Sequence, residues 1–211
     1  STGLPAVSLT TVGAGVVYEV AGLSYAWLNY LPVISLAPQV QSWKMKPHQE
    51  SLQACNQDEI YIPLTKFNTI VYHWRRIPQM LVRGFREACT GIPGPVHIDI
   101  PVDILFKRGL WGSNHLSKVP VVAQEPKIAG VALAIVDAVA ALKKAEKPVV
   151  IVGQGIGRIG RYRNIRSLLN RCGMPVMTTR YSSGIMRGGD ETCAGAASLF
   201  AGTAKGTALL K

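Results

Sequence analysis

The segment GIPGPVHIDIPVDIL, Gly91–Leu105, constrains the fold more than any other stretch of the chain. It leaves a Gly-Pro turn, enters a short alternating apolar run and stops at Pro101. A strand with prolines only at its ends loses no ladder donor. The residues before it set its context. IPQMLVRGFREACTG places Ile77, Met80, Leu81, Gly84, Phe85 and Ala88 at three-to-four spacing, the mark of an amphipathic helix. Gly91 follows that helix where a C-terminal glycine belongs. A helix feeding a short buried strand is half of a parallel α/β unit, covered on both faces.

The same rhythm runs along the chain. PAVSLTT, bounded by Pro5 and Gly13, suits a buried strand. VVYEVAGLSYAWLNY has helical length, with Val16, Val20, Leu23, Trp27 and Leu28 expected on one side. PVISLAP and TKFNTIVYHW read as strands, separated by a polar stretch, Gln39–Glu59, too irregular for one element. After Phe106 the texture changes to lysines, glycines and prolines without periodicity, which reads as a linker. From Lys127 a second series begins. IAGVALAIVDAVAALKKAEK is a helix whose final lysines complement its dipole. It is followed by the strand PVVIVG, the glycine-rich turn QGIGRIG, the helix RYRNIRSLLNRCG and the strand PVMTT. The closing AGTAKGTALLK is helical, with no strand expected after it.

The expected fold class is therefore α/β: two three-layer α/β domains with mostly parallel sheets, both incomplete. The expected boundaries are 1–106 for the first domain, 107–126 for the linker and 127–211 for the second. Strands are expected near Val7, Val33, Ile70, His97, Val150 and Val176.

Composition narrows the partners. A formal net charge of +11 favours anionic ligands. No RNP, zinc-finger or helix-turn-helix signature accompanies it, so nucleic acid is not an expected partner. The apolar stretch Val16–Ala37 is interrupted by Glu19, Asn29 and Pro32, so it is read as helix then strand rather than as a membrane span. Cys55, Cys89, Cys172 and Cys193 show no CxxC spacing. Neither a zinc site nor a redox dithiol is expected, no metal ligand is assigned, and scattered thiols fit a cytoplasmic location. The chain begins at Ser1 rather than Met, which raises processing or a fragment.

Taken together, several stretches resemble the thiamine-diphosphate-dependent decarboxylase and carboligase family, the superfamily of acetolactate synthase, oxalyl-CoA decarboxylase and 2-hydroxyacyl-CoA lyase. GIPGPVHIDIPVDIL resembles the family's G-R-P-G-P-V-x-x-D-I-P-x-D segment, which closes its pyrimidine-binding domain. YLPVISLAPQ is similar to S-I-P-V-V-x-I-x-G-Q, and IPLTKFN to R-P-I-T-K-x-x. KPVVIVGQGIG and MPVMTTRYSSGIM are similar to two successive segments of the family's central domain. The pieces occur in family order over nearly the whole chain.

The resemblance implies an internal piece: the C-terminal part of a pyrimidine-binding domain, then the N-terminal part of a central, nucleotide-binding-like domain. The parent would be a lyase or carboligase using thiamine diphosphate and Mg²⁺ on a 2-keto acid or an acyl-CoA, as a homodimer or homotetramer. The family's catalytic glutamate lies upstream of the region matching Ser1. Its G-D-G…N motif does not occur in these residues, so the chain alone is expected to be inactive.

The resemblance also nominates residues. Gly13 and Gly15 match an S-G-P-G turn beside the cofactor's pyrimidine ring, with Ala14 where the family has Pro and Tyr18 where it has Asn. Glycines there let backbone approach a flat ligand, although an ordinary strand-to-helix turn has the same pattern. Gln39 matches the glutamine that faces the reaction centre, a neutral amide able to donate to an oxyanion. Gln53 matches the glutamine of an F-Q-E segment. Lys66 matches the P-I-T-K lysine and is read as structural. Gly153, Gly155 and Arg158 open the central-domain turn, where relatives hold FAD or an ADP or CoA moiety. A glycine turn at a helix start suits a phosphate. Arginines along the following helix suit a solvated face equally well. The alternative function is a non-catalytic nucleotide- or CoA-binding module that uses this basic turn.

Overall fold

The computed structural model describes residues 4–45, 51–108, 131–158, 162–197 and 202–209. The chain divides into two compact units, Leu4–Lys127 and Ile128–Lys211.

The first unit contains β1 (Ala6–Leu9), α1 (Ala14–Leu28), β2 (Val33–Gln39), α2 (Gln57–Tyr61), β3 (Phe67–Ile70), α3 (Ile77–Cys89), β4 (Val96–Pro101) and α4 (Val102–Leu105). The four strands form one sheet in the order β1-β2-β4-β3, and every pair is parallel. In the central pair Ser35 stands beside His97, Ala37 beside Asp99 and Gln39 beside Pro101. Side chains alternate across the sheet, so β2 and β4 each serve two faces. On one, Ile34, Val96, Ile98 and Ile100 pack with Ala88, Met80, Leu81 and Phe85 of α3. On the other, Ala37 packs with Val16 and Leu23 of α1 and with Tyr61 of α2. All six residues of β4 are buried. The short strand expected from the prolines is there, and it carries His97 and Asp99 at 0% exposure.

Several local expectations change. The run TKFNTIVYHW yields a strand only to Ile70, because the chain turns into a 3₁₀ segment at Trp74–Arg76, with His73 accepting from the Arg75 N–H. In α1, Val16 and Leu23 are buried but Trp27 and Leu28 are exposed, at 38% and 75%. That helix is apolar on both sides, so its buried face could not be picked from hydropathy. The stretch from Gln39 to Glu59 contains a 3₁₀ turn at Ser42–Lys44 and the start of α2. Most of the expected linker lies outside the described residues.

Lys66 has a clear structural task. Its Nζ donates to the carbonyls of Glu87 and Thr90, each at 2.6 Å, at the C-terminal end of α3. Burial pulls its ammonium below the ordinary lysine value, against the pull of the Glu87 carboxylate. Lys66→Ala is expected to lose about 1 kcal/mol, since two terminal carbonyls and the negative helix end lose their cation. A urea midpoint equal to that of the parent chain would remove this assignment.

The second unit contains α5 (Val131–Lys144), β5 (Val150–Val152), α6 (Gly155–Arg158), α7 (Tyr162–Cys172), β6 (Val176–Thr178), β7 (Cys193–Ala196) and α8 (Ala204–Leu209). Its sheet has the order β5-β6-β7 and is parallel throughout. Val152, Leu169, Val176, Ile185 and Met186 form its core. Two expectations change here. The glycine-rich turn is partly helical, since α6 begins at Gly155. The strand β7, CAGA, follows β6 and was not anticipated, because its small residues lack a strand-forming pattern. Gly195 within it has φ +90, and a Cβ there would stand 2.1 Å from Thr203 Oγ1. Among the described residues no helix is long and apolar enough to cross a membrane.

Candidate functional site

In open parallel sheets, ligands bind beyond the carboxyl ends of the strands. In the first unit that edge consists of the turn after β1, the end of β2 at Gln39 and the end of β4 at Pro101.

Gly13 sits in the turn with φ +69, a left-handed conformation that glycine adopts without strain. Its N–H donates to Gln57 Oε1 at 2.8 Å in a buried contact. Gln57 Nε2 donates in turn to Asp99 Oδ1 at 2.7 Å and to the Pro38 carbonyl at 3.2 Å. A Cβ on Gly13 would lie 2.4 Å from the Gln53 carbonyl oxygen, so the loop before α2 rests directly on the turn. Gln53 itself has φ +67 and an exposed side chain. Gly15 lies in the first turn of α1, where a Cβ would meet Thr11 Cγ2 at 2.7 Å.

Gln39 is fully buried. Its Oε1 accepts from the Val40 N–H at 2.9 Å and its Nε2 donates to the Cys55 carbonyl at 3.2 Å. Both ends of its amide are thus engaged within the chain, tying the end of β2 to the loop that carries Gln53. Burial, then the nearby charge of Asp99, pushes the Cys55 thiol up. Gly13, Gln39 and Gln53 therefore gather around a single loop.

Beneath this edge lies a buried polar chain that the sequence reading did not nominate. Ser35 Oγ donates to Glu19 Oε2 at 2.6 Å and stands 2.9 Å from His97 Nδ1. His97 Nε2 approaches Asp99 Oδ1 at 2.9 Å, although not aligned as a hydrogen bond. The Tyr61 hydroxyl donates to the Val16 carbonyl at 2.7 Å and lies 3.0 Å from Glu19 Oε2. Burial, then the Glu19 charge, holds that hydroxyl protonated far above the ordinary tyrosine range. The Tyr61 and His97 rings lie 4.0 Å apart between centroids. Thr10 Oγ1, Glu19 Oε1 and Asp99 Oδ2 are buried with no hydrogen-bond partner. One signal could have revealed the chain. A parallel strand is covered on both faces, so the alternation in VHIDIP places His97 and Asp99 inside rather than in solvent.

In the second unit Gly153 and Gly155 follow β5, and no atom lies within 4 Å of a Cβ built on either. The turn is open. Arg158 ends α6, and its side chain lies outside the described residues. The arginines expected on one helix divide between α6 and α7. A cavity of about 710 Å³, lined by Asn170, Gly173, Asp190, Thr192 and Lys205 among others, lies instead beside the amino ends of β6 and β7. The Arg187 N–H and the Asn170 amide hold the Asp190 carboxyl there below its usual range. Among the described residues no cluster of His, Cys, Asp and Glu suited to a metal ion occurs.

Comparison with known proteins adds an independent observation. The family model for the thiamine pyrophosphate enzyme central domain matches residues 135–211. The chain is 31% identical over 185 residues to the acetolactate synthase large subunit of Corynebacterium glutamicum, covering 87% of this chain and 29% of that protein. It is 29% identical over 188 residues to the acetolactate synthase large subunit of Buchnera aphidicola, covering 89% of this chain and 33% of that protein. It is 28% identical over 200 residues to a 2-hydroxyacyl-CoA lyase of Arabidopsis thaliana, covering 93% of this chain and 34% of that protein. The chain thus spans about a third of the length of the curated relatives it matches.

Proposed function

We propose that the chain is a piece of a thiamine-pyrophosphate-dependent enzyme and supplies the pyrimidine-side edge and part of the central domain of an acetolactate-synthase-like lyase or carboligase; the central-domain match and the relatives support this. The observation that carries this reading is the Gly13 turn. It stands at the carboxyl edge of a parallel sheet, held by a buried Gln57–Asp99 pair. The substrate class we propose is a 2-keto acid, or a 2-hydroxyacyl- or oxalyl-CoA, handled by a homodimer or homotetramer in the cytoplasm.

The fit to the cofactor differs between its two ends. At the pyrimidine end the residues suit it. The Gly13 face is taken up by the chain's own Gln53 carbonyl and its N–H by Gln57, so the fit rests on Thr10 Oγ1 and Asp99 Oδ2, buried polar atoms without partners near the same strand ends. At the other end, the sequence contains no G-D-G, and the described residues offer no cluster for Mg²⁺. Diphosphate and metal are not assigned to this chain. Thiamine diphosphate, held beside Thr10 and Asp99, would supply the carbanion-stabilising chemistry. The chain's own residues shape and dry the surroundings. Gln57 orients the Gly13 amide. Gln39 holds the Gln53 loop against the turn, and it can donate to an oxyanion only by releasing the Cys55 carbonyl.

This division of labour has a direct consequence. The 211-residue chain with pyruvate, thiamine diphosphate and Mg²⁺ is expected to release no CO₂ above the buffer rate. Sustained release from a purified sample would mean that the diphosphate end is also present.

A second reading, a nucleotide- or CoA-binding module, is favoured by the open Gly153–Gly155 turn. Calorimetric titration with ADP, CoA and FAD tests it. If the turn cradles a phosphate, binding is weak and falls with salt, as charges are screened. Gly155→Val then weakens it more than Arg171→Ala, since Arg171 lies at the far end of α7, in its last turn. No binding at low salt, or greater damage from Arg171→Ala, removes this reading.

A further inference from the structure

The buried polar chain beneath the Gly13 turn raises a question of proton count. Ser35 Oγ carries one proton, and its 2.6 Å contact with Glu19 Oε2 is the length of a charge-assisted O–H···O⁻ bond. With that proton given to Glu19, Ser35 can only accept from His97. In that arrangement the contact at 2.9 Å takes an N–H on His97 Nδ1. The other ring nitrogen, Nε2, stands 2.9 Å from Asp99 Oδ1. Two bare acceptors at that distance repel, so a second proton must lie on one of them. Tyr61 supplies none there, because its hydroxyl faces the Val16 carbonyl and Glu19 Oε2 rather than Nε2 or Asp99.

The groups facing His97 are few. Glu19 comes from α1, Ser35 from β2, Tyr61 from α2 and Asp99 from β4 itself. Asn68 of β3 is its register neighbour. Cys55 lies near Asp99 from the preceding loop. No lysine or arginine makes an ion pair with either carboxylate among the described residues. The two acids, one imidazole and one hydroxyl must balance their protons among themselves.

We propose that Glu19, Ser35, His97 and Asp99 act as one proton-sharing relay that positions the Gly13 turn. Three arrangements of the relay hold the same number of protons. The extra proton can sit on Asp99, on His97 as imidazolium, or on Glu19. In the last case Ser35 reverses and donates to Nδ1. Exchange between His97 and Glu19 passes through Ser35, which takes one proton as it gives another; exchange between Nε2 and Asp99 requires the ring to turn into line, since that contact is not aligned; neither changes the net charge. The position of that proton decides whether Asp99 is a bare carboxylate. A bare Asp99 accepts from Gln57 Nε2 and so turns Gln57 Oε1 toward the Gly13 N–H. Protonation at Asp99 weakens that hold. The relay thus connects a carboxylate on α1 to the backbone amide at the ligand-facing edge, with His97 as a positioning residue. It deepens the function proposed above only in linking the relay to a ligand. The proton sharing itself does not depend on thiamine diphosphate.

The test is nitrogen NMR of the histidine rings in the 211-residue chain, with His97 identified by the His97→Gln variant. In the parent chain Nδ1 of His97 resonates as a protonated nitrogen. In Glu19→Gln, Ser35 is free to donate to Nδ1, so Nδ1 moves to the bare-nitrogen range and the ring proton appears on Nε2, facing Asp99. When Ser35→Ala is added, this response to Glu19→Gln disappears, because the contact that carries it is gone. A merely structural role would leave the tautomer unmoved by a change at Glu19, which His97 does not touch. An unchanged Nδ1 resonance in a folded Glu19→Gln sample overturns the relay. So does the same response with and without Ser35. If thiamine diphosphate fails to bind while the tautomer moves as stated, the relay stands and the ligand reading falls.

Discussion

Gly13→Val is expected to lower stability by about 2–4 kcal/mol, the sum of two separate penalties. The first is conformational. Gly13 has φ +69, where a β-branched side chain is strained. The second is steric. The new Cβ would stand 2.4 Å from the Gln53 carbonyl oxygen, a backbone atom that cannot rotate away. The loop must lift, and lifting it breaks the Gln39–Cys55 contact as well. Gly13→Ala carries both penalties in smaller measure and should fall between. Urea denaturation measures the effect. A Gly13→Val midpoint indistinguishable from the parent's would mean that the loop does not rest on the turn.

Asp99→Ala should be comparably damaging, costing about 2–4 kcal/mol, since it leaves the buried Gln57 amide without its acceptor and opens space beside His97. Asp99 is fully buried, accepts from Gln57 and faces His97 at 2.9 Å. Without it, Gln57 Nε2 keeps only the long contact to Pro38, and the His97 ring loses the carboxylate it faces. Asp99→Asn retains an oxygen for Gln57 and is expected to cost less than Asp99→Ala. Equal urea midpoints for the two variants would contradict this account of the carboxylate. Against a typical domain stability of about 5–15 kcal/mol, either loss is large.

The architecture was legible in the sequence where local rules act. Pro32, Pro95 and Pro101 bracket strands, Gly91 ends a helix, and short apolar runs between them became the strands near Val7, Val33, His97, Val150 and Val176. The site was legible only in part. The turn at Gly13 could be placed because a glycine before a helix leaves a pattern. Glu19, Ser35, Gln57 and Asp99 could not be linked in advance, since their contacts span from 16 to 62 residues of sequence. Only the register of β2 against β4 puts Ser35 beside His97. The exposure of Trp27 and Leu28 was equally hidden, because α1 is apolar on every side. For Gln39 the sequence suggested a free amide at the edge, whereas the fold engages both of its ends.

We propose that this chain supplies the pyrimidine side of a thiamine-dependent site and not its diphosphate anchor. Calorimetric titration of the chain with thiamine and with thiamine diphosphate, each with and without Mg²⁺, tests it most directly. The account predicts that the two ligands bind alike and weakly, with a Kd on the order of 1 mM, or about 4 kcal/mol of binding. Mg²⁺ adds nothing, and Thr10→Val, which removes a buried unpartnered hydroxyl, weakens both. Thiamine diphosphate binding at least about tenfold tighter than thiamine in the presence of Mg²⁺, a difference of about 1.4 kcal/mol, would contradict it. So would no binding of either ligand at several times that concentration.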